Sequence, residues 1–229
     1  MPAPISVIIP VRNSAKDLPS CLAHLVSGLE AGLIREVIVS GVPSNDPCRD
    51  IAEETGAVWV EGDAGRGRQL KRGAEIARGD WFLFLHADTW LEDGWTNHVK
   101  THITANTEEA GAFCLAFRSR TWRAGWVAAL ANLRSRFLGL PYGDQGLLIS
   151  RDLYNTVGGY EPIPLMEDVS IARRLGRSRI ALIPSRAFTS GEKQIRDGWI
   201  TRSLKNIWLV IRYSFGADPE RLAKIYYGR

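Results

Sequence analysis

Two aspartates stand where a carboxylate could do chemistry. Asp88 ends the run Gly79-Asp80-Trp81-Phe82-Leu83-Phe84-Leu85-His86-Ala87-Asp88-Thr89. Residues 81–85 are continuously apolar, as a strand covered on both faces of a parallel sheet must be, and the run then breaks at once into polar residues. Asp88 is thereby predicted at the strand's C-terminal edge, where open α/β sheets bind ligands. A carboxylate beside a cleft is the hard oxygen donor that Mg²⁺ or Mn²⁺ needs when it bridges to a diphosphate, so Asp88 is the candidate metal ligand. The plainer alternative is the start of a turn or a helix cap. Asp168 closes Pro164-Leu165-Met166-Glu167-Asp168. A carboxylate of this kind can act as a general base. Its plainer alternative is an acidic start to a helix over 169–175.

Positive groups gather at the same predicted edge. The loop Asp63-Ala64-Gly65-Arg66-Gly67-Arg68-Gln69 sets two arginines between glycines at a helix start. Guanidinium forks and the N–H groups of a helix N-terminus both favour phosphate oxygens, so Arg66 and Arg68 are candidate diphosphate or base contacts, against a solvated turn. Arg12, just past the first strand, adds a third.

The elements that must position these groups alternate. Strands are predicted over 5–10, 36–40, 57–60 and 81–85, with helices between them. After the cap Asn13-Ser14, the residues Leu18, Cys21, Leu22, Leu25, Val26 and Leu29 share one helical face. Helices over 46–55 and 70–78 follow. Strands alternating with helices argue for an α/β fold, a doubly wound, mostly parallel central sheet with helices on both faces. No G-x-G-x-x-G follows the first strand, which disfavours a dinucleotide-binding oxidoreductase. Beyond it come a strand over 111–117, a basic and aromatic helix over 121–137, the turn Tyr142-Gly143-Asp144-Gln145-Gly146, another apolar strand, and Gly158-Gly159-Tyr160 ending a helix.

Bulk properties narrow the classes. At 229 residues the chain fits one α/β domain. A net charge of +4 and a pI near 9.1 suit anionic substrates or a membrane surface without indicating nucleic acid. Cys21, Cys48 and Cys114 are scattered and odd in number, so neither a disulfide framework nor a zinc cluster is expected. His98 and His102 lie a helical turn apart, but no third ligand accompanies them. Met1-Pro2-Ala3-Pro4 runs into a strand without a leader-type segment, and no apolar run approaches the roughly 20 residues of a spanning helix. The expected place is the cytoplasm, or peripherally the inner face of the membrane. From Ile200, the residues Leu204, Ile207, Trp208, Ile211 and Phe215 recur at helical spacing beside Arg202, Lys205 and Arg212. That pattern fits packing against the core first, with an interfacial helix on anionic lipid as the second reading.

In their order, these motifs resemble family 2 glycosyltransferases with the A-type nucleotide-sugar-binding fold, in particular a small bacterial subgroup with a Phe-Leu-His-Ala-Asp-Thr signature. The resemblance rests on 5–13, 65–73, 77–89, 143–146, 158–160 and 164–168. It implies that Pro10, Arg12 and Asn13 line the nucleotide pocket. Asp88 would be the metal-binding end of a D-x-D-type motif whose first position is His86 here, and Asp168 the catalytic base. Asp144, Gln145, Gly159 and Glu167 would face the sugar or the acceptor, although Asp144 and Gln145 equally suit a turn-stabilising role. Lys193 and Arg196 would approach the diphosphate, with Glu192 departing from a basic pattern. Two further departures stand out. Ser40 replaces a carboxylate at the end of the second strand that accepts from the base, and Lys71 replaces an asparagine.

The implied reaction is a metal-dependent, inverting transfer of a sugar from a nucleotide-diphosphate sugar to a hydroxyl acceptor. Direct displacement needs one base, unlike glycoside hydrolysis with its two flanking carboxylates. A nucleotide-sugar-binding regulatory or scaffolding protein without turnover, and a nucleotidyltransferase on a similar sheet, are the alternatives. Residues 1–90 would bind the nucleotide sugar, 91–190 the acceptor, and 191–229 form a C-terminal helical region of the same single domain.

Overall fold

Alternation of side chains along the first strand decides how the layers assemble. A computed structural model describes residues 3–228; Met1 and Pro2, where the stretch expected to lack a leader-type pattern begins, and Arg229 lie outside the described residues. In β1 (Ile5–Pro10), Ile5, Val7 and Ile9 join one cluster with Leu18, Leu22 and Leu25 of α1 (Leu18–Glu30). Ile8 points the other way, to Leu70 and Ala74 of α3 (Arg66–Ile76). Between these come β2 (Ile34–Gly41), α2 (Cys48–Glu54) and β3 (Val58–Glu61), and after α3 comes β4 (Trp81–Phe84). Trp81 and Leu83 fill the first cluster and Phe82 and Phe84 the second. A strand without a polar face is thus buried on both sides, as its composition requires.

The remaining elements are β5 (Thr89–Leu91), α4 (Trp95–Ala105), β6 (Ala110–Phe117), α5 (Trp122–Leu138), β7 (Leu147–Ser150), α6 (Arg151–Thr156), α7 (Glu167–Leu175), β8 (Ile180–Thr189), α8 (Glu192–Asp197), α9 (Trp199–Ser214) and α10 (Pro219–Tyr227). All eight strands form one sheet in the order β3-β2-β1-β4-β7-β6-β8-β5. The first four are parallel, while β7 enters antiparallel between β4 and β6, and β8 runs parallel to β6. The chain after Asp88 is neither a turn alone nor a helix start. It becomes β5, antiparallel to β8 through Thr89 and Thr189. Asp88 is therefore held from two sides, by β4 before it and β5 after it.

The C-terminal stretch departs from the core-packing expectation. Leu209 packs inward with Leu165, Met166 and Val169 and with Leu222 and Ala223 of α10. Leu204, Ile207, Ile211 and Phe215 instead stand exposed on the outer side of α9.

Candidate active site

Asp88 and Asp168, 80 positions apart in sequence, line one pocket at the C-terminal edge of β4. Its floor is His86, Asp88 and the Gly143–Gln145 turn, one wall is the start of α7, and the opposite wall comes from α8, α9 and α10. Among the described residues the Asp88 carboxylate accepts only from hydroxyls, Ser190 Oγ at 3.2 Å and Thr89 Oγ1 at 3.4 Å. Its backbone carbonyl accepts from Arg118 Nη2 at 2.6 Å; Arg118 is fixed in turn by Asp17 at 3.0 Å and by stacking 3.9 Å over the Trp90 ring. The nearby arginine thus anchors the backbone and leaves the carboxylate free of a cation partner among the described residues.

Asp168 is positioned by a helix start. Its Oδ1 accepts from Val169 N at 2.7 Å and its Oδ2 from Gly143 N at 3.0 Å, so backbone N–H groups from α7 and from the glycine turn fix both oxygens. The helix-start alternative and the pocket-facing one therefore describe the same residue. Met166, just before this turn, holds φ at +69°, a left-handed conformation uncommon for a non-glycine residue and costing of order 1 kcal/mol or more. A Cβ on Gly143 would sit 2.5 Å from His86 Nε2, so only glycine lets this turn meet both the imidazole and Asp168.

The electrostatics around the two aspartates are uneven. Burial, with Arg66 nearby, pushes the His86 imidazole down to about 3, so it is neutral at physiological pH. Burial raises Asp144 to about 6 against the pull of Arg134, and its Oδ1 is buried without a partner. Arg66 reaches Glu167 at 3.2 Å. Burial works against the charge on Arg66, but Glu167, Tyr227, Tyr226 and Asp168 outweigh it and hold the guanidinium above its ordinary value. One guanidinium thus faces two adjacent carboxylates. Glu167 is 1% exposed, with Oε2 unpartnered, and burial pushes it up to about 7 despite Arg66.

This shift has a measurable sign. A group near 7 in the fold and 4.5 unfolded binds more protons when folded between those values. Its stabilising contribution is complete below about pH 4.5 and is lost as pH rises through about 7, by about 3 kcal/mol at most. Melting temperature in the absence of ligand should fall across this range, and Glu167→Gln should flatten the fall. A slope unchanged in the variant would assign it to another group.

Other sequence-predicted residues are placed elsewhere. Ser40 is fully buried with its hydroxyl unpartnered, beneath Gln69, whose Nε2 donates to the carbonyls of Ser40 and Val11. Gln145 is also fully buried. Its Oε1 accepts from Ser135 Oγ at 2.6 Å and its Nε2 donates to Phe113 O at 3.0 Å, so it braces the turn. Gly159 lies outside this pocket, by a second hollow with Lys71, Arg151 and Tyr154. Arg68 turns toward Ala64 O and Glu220. Pro10, Arg12 and Asn13 stand at the end of β1 outside the pocket lining; Arg12 and Asn13 are exposed, and Asn13 adopts a left-handed φ of +54°. In the glycine loop, Gly67 packs so tightly that a Cβ would lie 2.1 Å from Glu161 O, and its N–H donates to Ile163 O. That N–H is not free for phosphate; the Arg66 side chain is what reaches the pocket. Lys193 also lines it, whereas Arg196 pairs with Asp197.

Sequence reasoning missed Arg118 and the wall of Arg202, Asn206 and Tyr226. Arg202, read as a lipid-facing charge, is instead 3% exposed, bonded to Asp197 at 3.1 Å and stacked 4.2 Å from the Tyr226 ring. Burial alone would raise the Tyr226 phenol, but Lys193, Arg66 and Arg202 outweigh it and hold it below its ordinary value. Lys193 and Arg202 bring positive charge to this side of the pocket beside Glu192, and Asn206 Oδ1 in it is buried without a partner. The available signal was the helical period itself, which sets Arg202 and Asn206 on the face of α9 opposite Leu204 and Ile211.

No cage of three or more His, Cys, Asp or Glu side chains exists among the described residues. The Asp88 carboxylate, free of a cation partner among the described residues, with the unpartnered Asp144 oxygen in the same pocket, suits a divalent ion that keeps waters and completes its sphere with substrate phosphate oxygens.

The chain is similar to known proteins in sequence and in fold. The "PGL/p-HBAD biosynthesis glycosyltransferase" of Mycobacterium tuberculosis is 29% identical over 170 residues, covering 70% of this chain and 64% of the relative, and its Mycobacterium bovis counterpart matches equally. The chain thus spans somewhat less than two thirds of the length of the curated relatives it matches. Glucosyl-3-phosphoglycerate synthase from Mycobacterium tuberculosis, solved with Mn²⁺, UDP and phosphoglyceric acid, superposes with a TM-score of 0.63 at 19% identity over 94% of this chain and 80% of that one. Mannosyl-3-phosphoglycerate synthase from Rubrobacter xylanophilus does so with a TM-score of 0.61 at 17% identity over 94% and 76%. These two likenesses establish the fold. Glycosyl transferase family 2 has a family model that matches residues 6–146, from β1 through Asp88 to the turn below Asp168. With more than half of its length so matched, the chain belongs to glycosyl transferase family 2.

Proposed function

We propose that the chain is a metal-dependent, inverting glycosyltransferase that moves a sugar from a nucleotide-diphosphate sugar to a hydroxyl acceptor, as a member of the small bacterial subgroup with the Phe-Leu-His-Ala-Asp-Thr signature. The observation that carries this reading is the convergence of Asp88 and Asp168 on one pocket with Arg66, Lys193 and Arg202. The pocket measures about 180 Å³, below the roughly 300–1,000 Å³ of sites that swallow a drug-sized ligand. It suits the diphosphate and sugar, with the nucleoside lying over the end of β1 beside Pro10, Arg12 and Asn13.

In this mechanism Asp88, with Asp144 beside it, would hold a Mg²⁺ or Mn²⁺ ion, which when bound would supply positive charge to the departing diphosphate. Arg66, beside the start of α7, and Lys193, on α8, would face the same phosphates. Neutral His86 adds a hydrogen-bonding group without a competing charge. Asp168, fixed by the N–H groups of Val169 and Gly143, takes the acceptor hydroxyl's proton as the oxygen attacks the anomeric carbon. Attack from the side opposite the diphosphate inverts that carbon. Residues 1–90 serve the donor, 91–190 the acceptor, and 191–229 close the pocket. No helix among the described residues is long and apolar enough to cross a membrane. The proposed place is the cytoplasm, with peripheral contact to the inner face of the membrane.

A screen of nucleotide sugars for metal-dependent thermal stabilisation tests the donor. A true donor at 100 times its dissociation constant should add about 2.7 kcal/mol. Release of a nucleoside diphosphate with sugar transfer supports the reading; binding without release favours a regulatory protein, and release of pyrophosphate a nucleotidyltransferase.

A further inference from the structure

Twelve of the nineteen exposed large apolar side chains among the described residues belong to α5, α9 or the residue that ends α9. On α5 they are Trp122, Trp126, Leu130, Leu133 and Phe137, with Leu138 at its end. Their spacing puts the first five on one stripe, opposite Ala124, Ala128 and Ser135, which face the protein. On α9 the stripe is Ile200, Leu204, Ile207, Trp208 and Ile211, continued by Phe215, which is 88% exposed. The two helices are neighbours: Trp199 of α9 packs with Ala124 and Ala128 of α5 over Leu115 and Phe117. So large an exposed apolar concentration on adjoining helices marks an interaction surface, not scattered surface residues.

We propose that the outer faces of α5 and α9 form one surface that docks on a lipid bilayer bearing anionic headgroups. This deepens the peripheral placement proposed above, and it rests on these two helices and not on the chemistry of the pocket. Charge selects the occupant. The two helices hold six Lys and Arg and no Asp or Glu, more positive charge than the +4 of the whole chain. Arg134 and Arg202 are engaged inside, at Leu140 O and Asp197. Arg123, Arg136, Lys205 and Arg212 meet no carboxylate among the described residues. Arg123 lies 5.3 Å from the Trp122 ring and Arg212 5.2 Å from the Trp208 ring, so guanidinium groups sit beside aromatic side chains suited to the headgroup boundary. A second copy of the chain fits less well. An isologous contact would set these unpaired cations against their own counterparts.

The test is co-sedimentation with vesicles of phosphatidylcholine alone or mixed with phosphatidylglycerol, without nucleotide or metal. Binding is expected to the phosphatidylglycerol vesicles, to weaken as salt rises, and to shift the emission of the exposed tryptophans to the blue. The variant Arg123→Gln, Arg136→Gln, Lys205→Gln, Arg212→Gln should lose about a hundredfold or more of that affinity, near fivefold per charge. Trp126→Ser with Leu130→Ser, and separately Ile207→Ser with Ile211→Ser, should each lose about tenfold or more, because both helices contribute. These side chains are exposed, so the fold is expected to persist, and an unchanged circular dichroism spectrum and melting temperature check that it does. The proposal is overturned by failure to bind phosphatidylglycerol vesicles, by binding that ignores the charge variant, or by variants of one helix having no effect. Lipid-free self-association that the serine variants dissolve would also overturn it and identify a dimer face. Since the mixture holds no donor, failure here leaves the transferase reading standing, and absence of sugar transfer leaves this one standing.

Discussion

Asp168→Asn should leave metal-dependent donor binding nearly unchanged while sugar transfer falls by about 10² to 10⁴-fold, the usual range for a lost general base. The amide keeps the size of the carboxylate but cannot take a proton. Its hydrogen bonding is not an exact match. Both oxygens of Asp168 accept from backbone N–H groups, Val169 at 2.7 Å and Gly143 at 3.0 Å, and an asparagine can accept with one atom only. Its NH₂ would oppose one of those donors, at a stability cost of about 1–3 kcal/mol. The melting temperature should therefore drop measurably, and the kinetic loss must be read well below it. A fall in kcat at saturating donor with unchanged calorimetric affinity identifies the base. Lost donor affinity with retained kcat would make Asp168 a capping and positioning residue, and Glu167 or Asp144 would be the next candidates.

How much of this was legible in the sequence differs between the two ends of the pocket. The first four strands and their helices follow from local pattern, because an apolar run such as 81–85 and the helical stripe from Leu18 to Leu29 admit few other burials. Asp88 followed from the break at His86. What lay beyond local pattern is pairing between distant segments. Nothing near Thr89 announces that it will pair with Thr189, nor does the short apolar run at 147–150 show that it will enter antiparallel beside β4. Gln145 illustrates a different limit. An amide in a glycine turn could face a ligand or the protein, and only the arrival of Ser135 and Phe113 from other elements decides for the protein. Ser40 was read as a donor contact because of what it replaces, whereas its own burial beneath Gln69 settles its place. The wall of Arg202 and Asn206 was hidden for a reason specific to helices. Leu204 and Ile211 define an outer stripe on α9, and the same periodicity that exposes them turns Arg202 and Asn206 inward, where sequence alone had read Arg202 as solvent- or lipid-facing.

Asp88→Ala should have the complementary effect, with the donor complex itself lost. The substitution should spare the fold, since among the described residues the carboxylate accepts only from the hydroxyls of Ser190 and Thr89, and the strong contact from Arg118 goes to a backbone carbonyl that alanine retains. What disappears is the carboxylate that ends the β4 edge, leaving the diphosphate to Arg66 and Lys193. Calorimetric titration of the donor should then give the same weak affinity with and without Mn²⁺, and turnover should fall by about a thousandfold or more, since metal stabilisation of a leaving group is worth several kcal/mol. The distinction from Asp168→Asn lies in the order of loss: here binding fails first and chemistry with it, there binding survives. If Asp88→Ala kept full metal-dependent affinity and turnover, the ion would be held elsewhere, and the unpartnered oxygen of Asp144 is the one this pocket still offers.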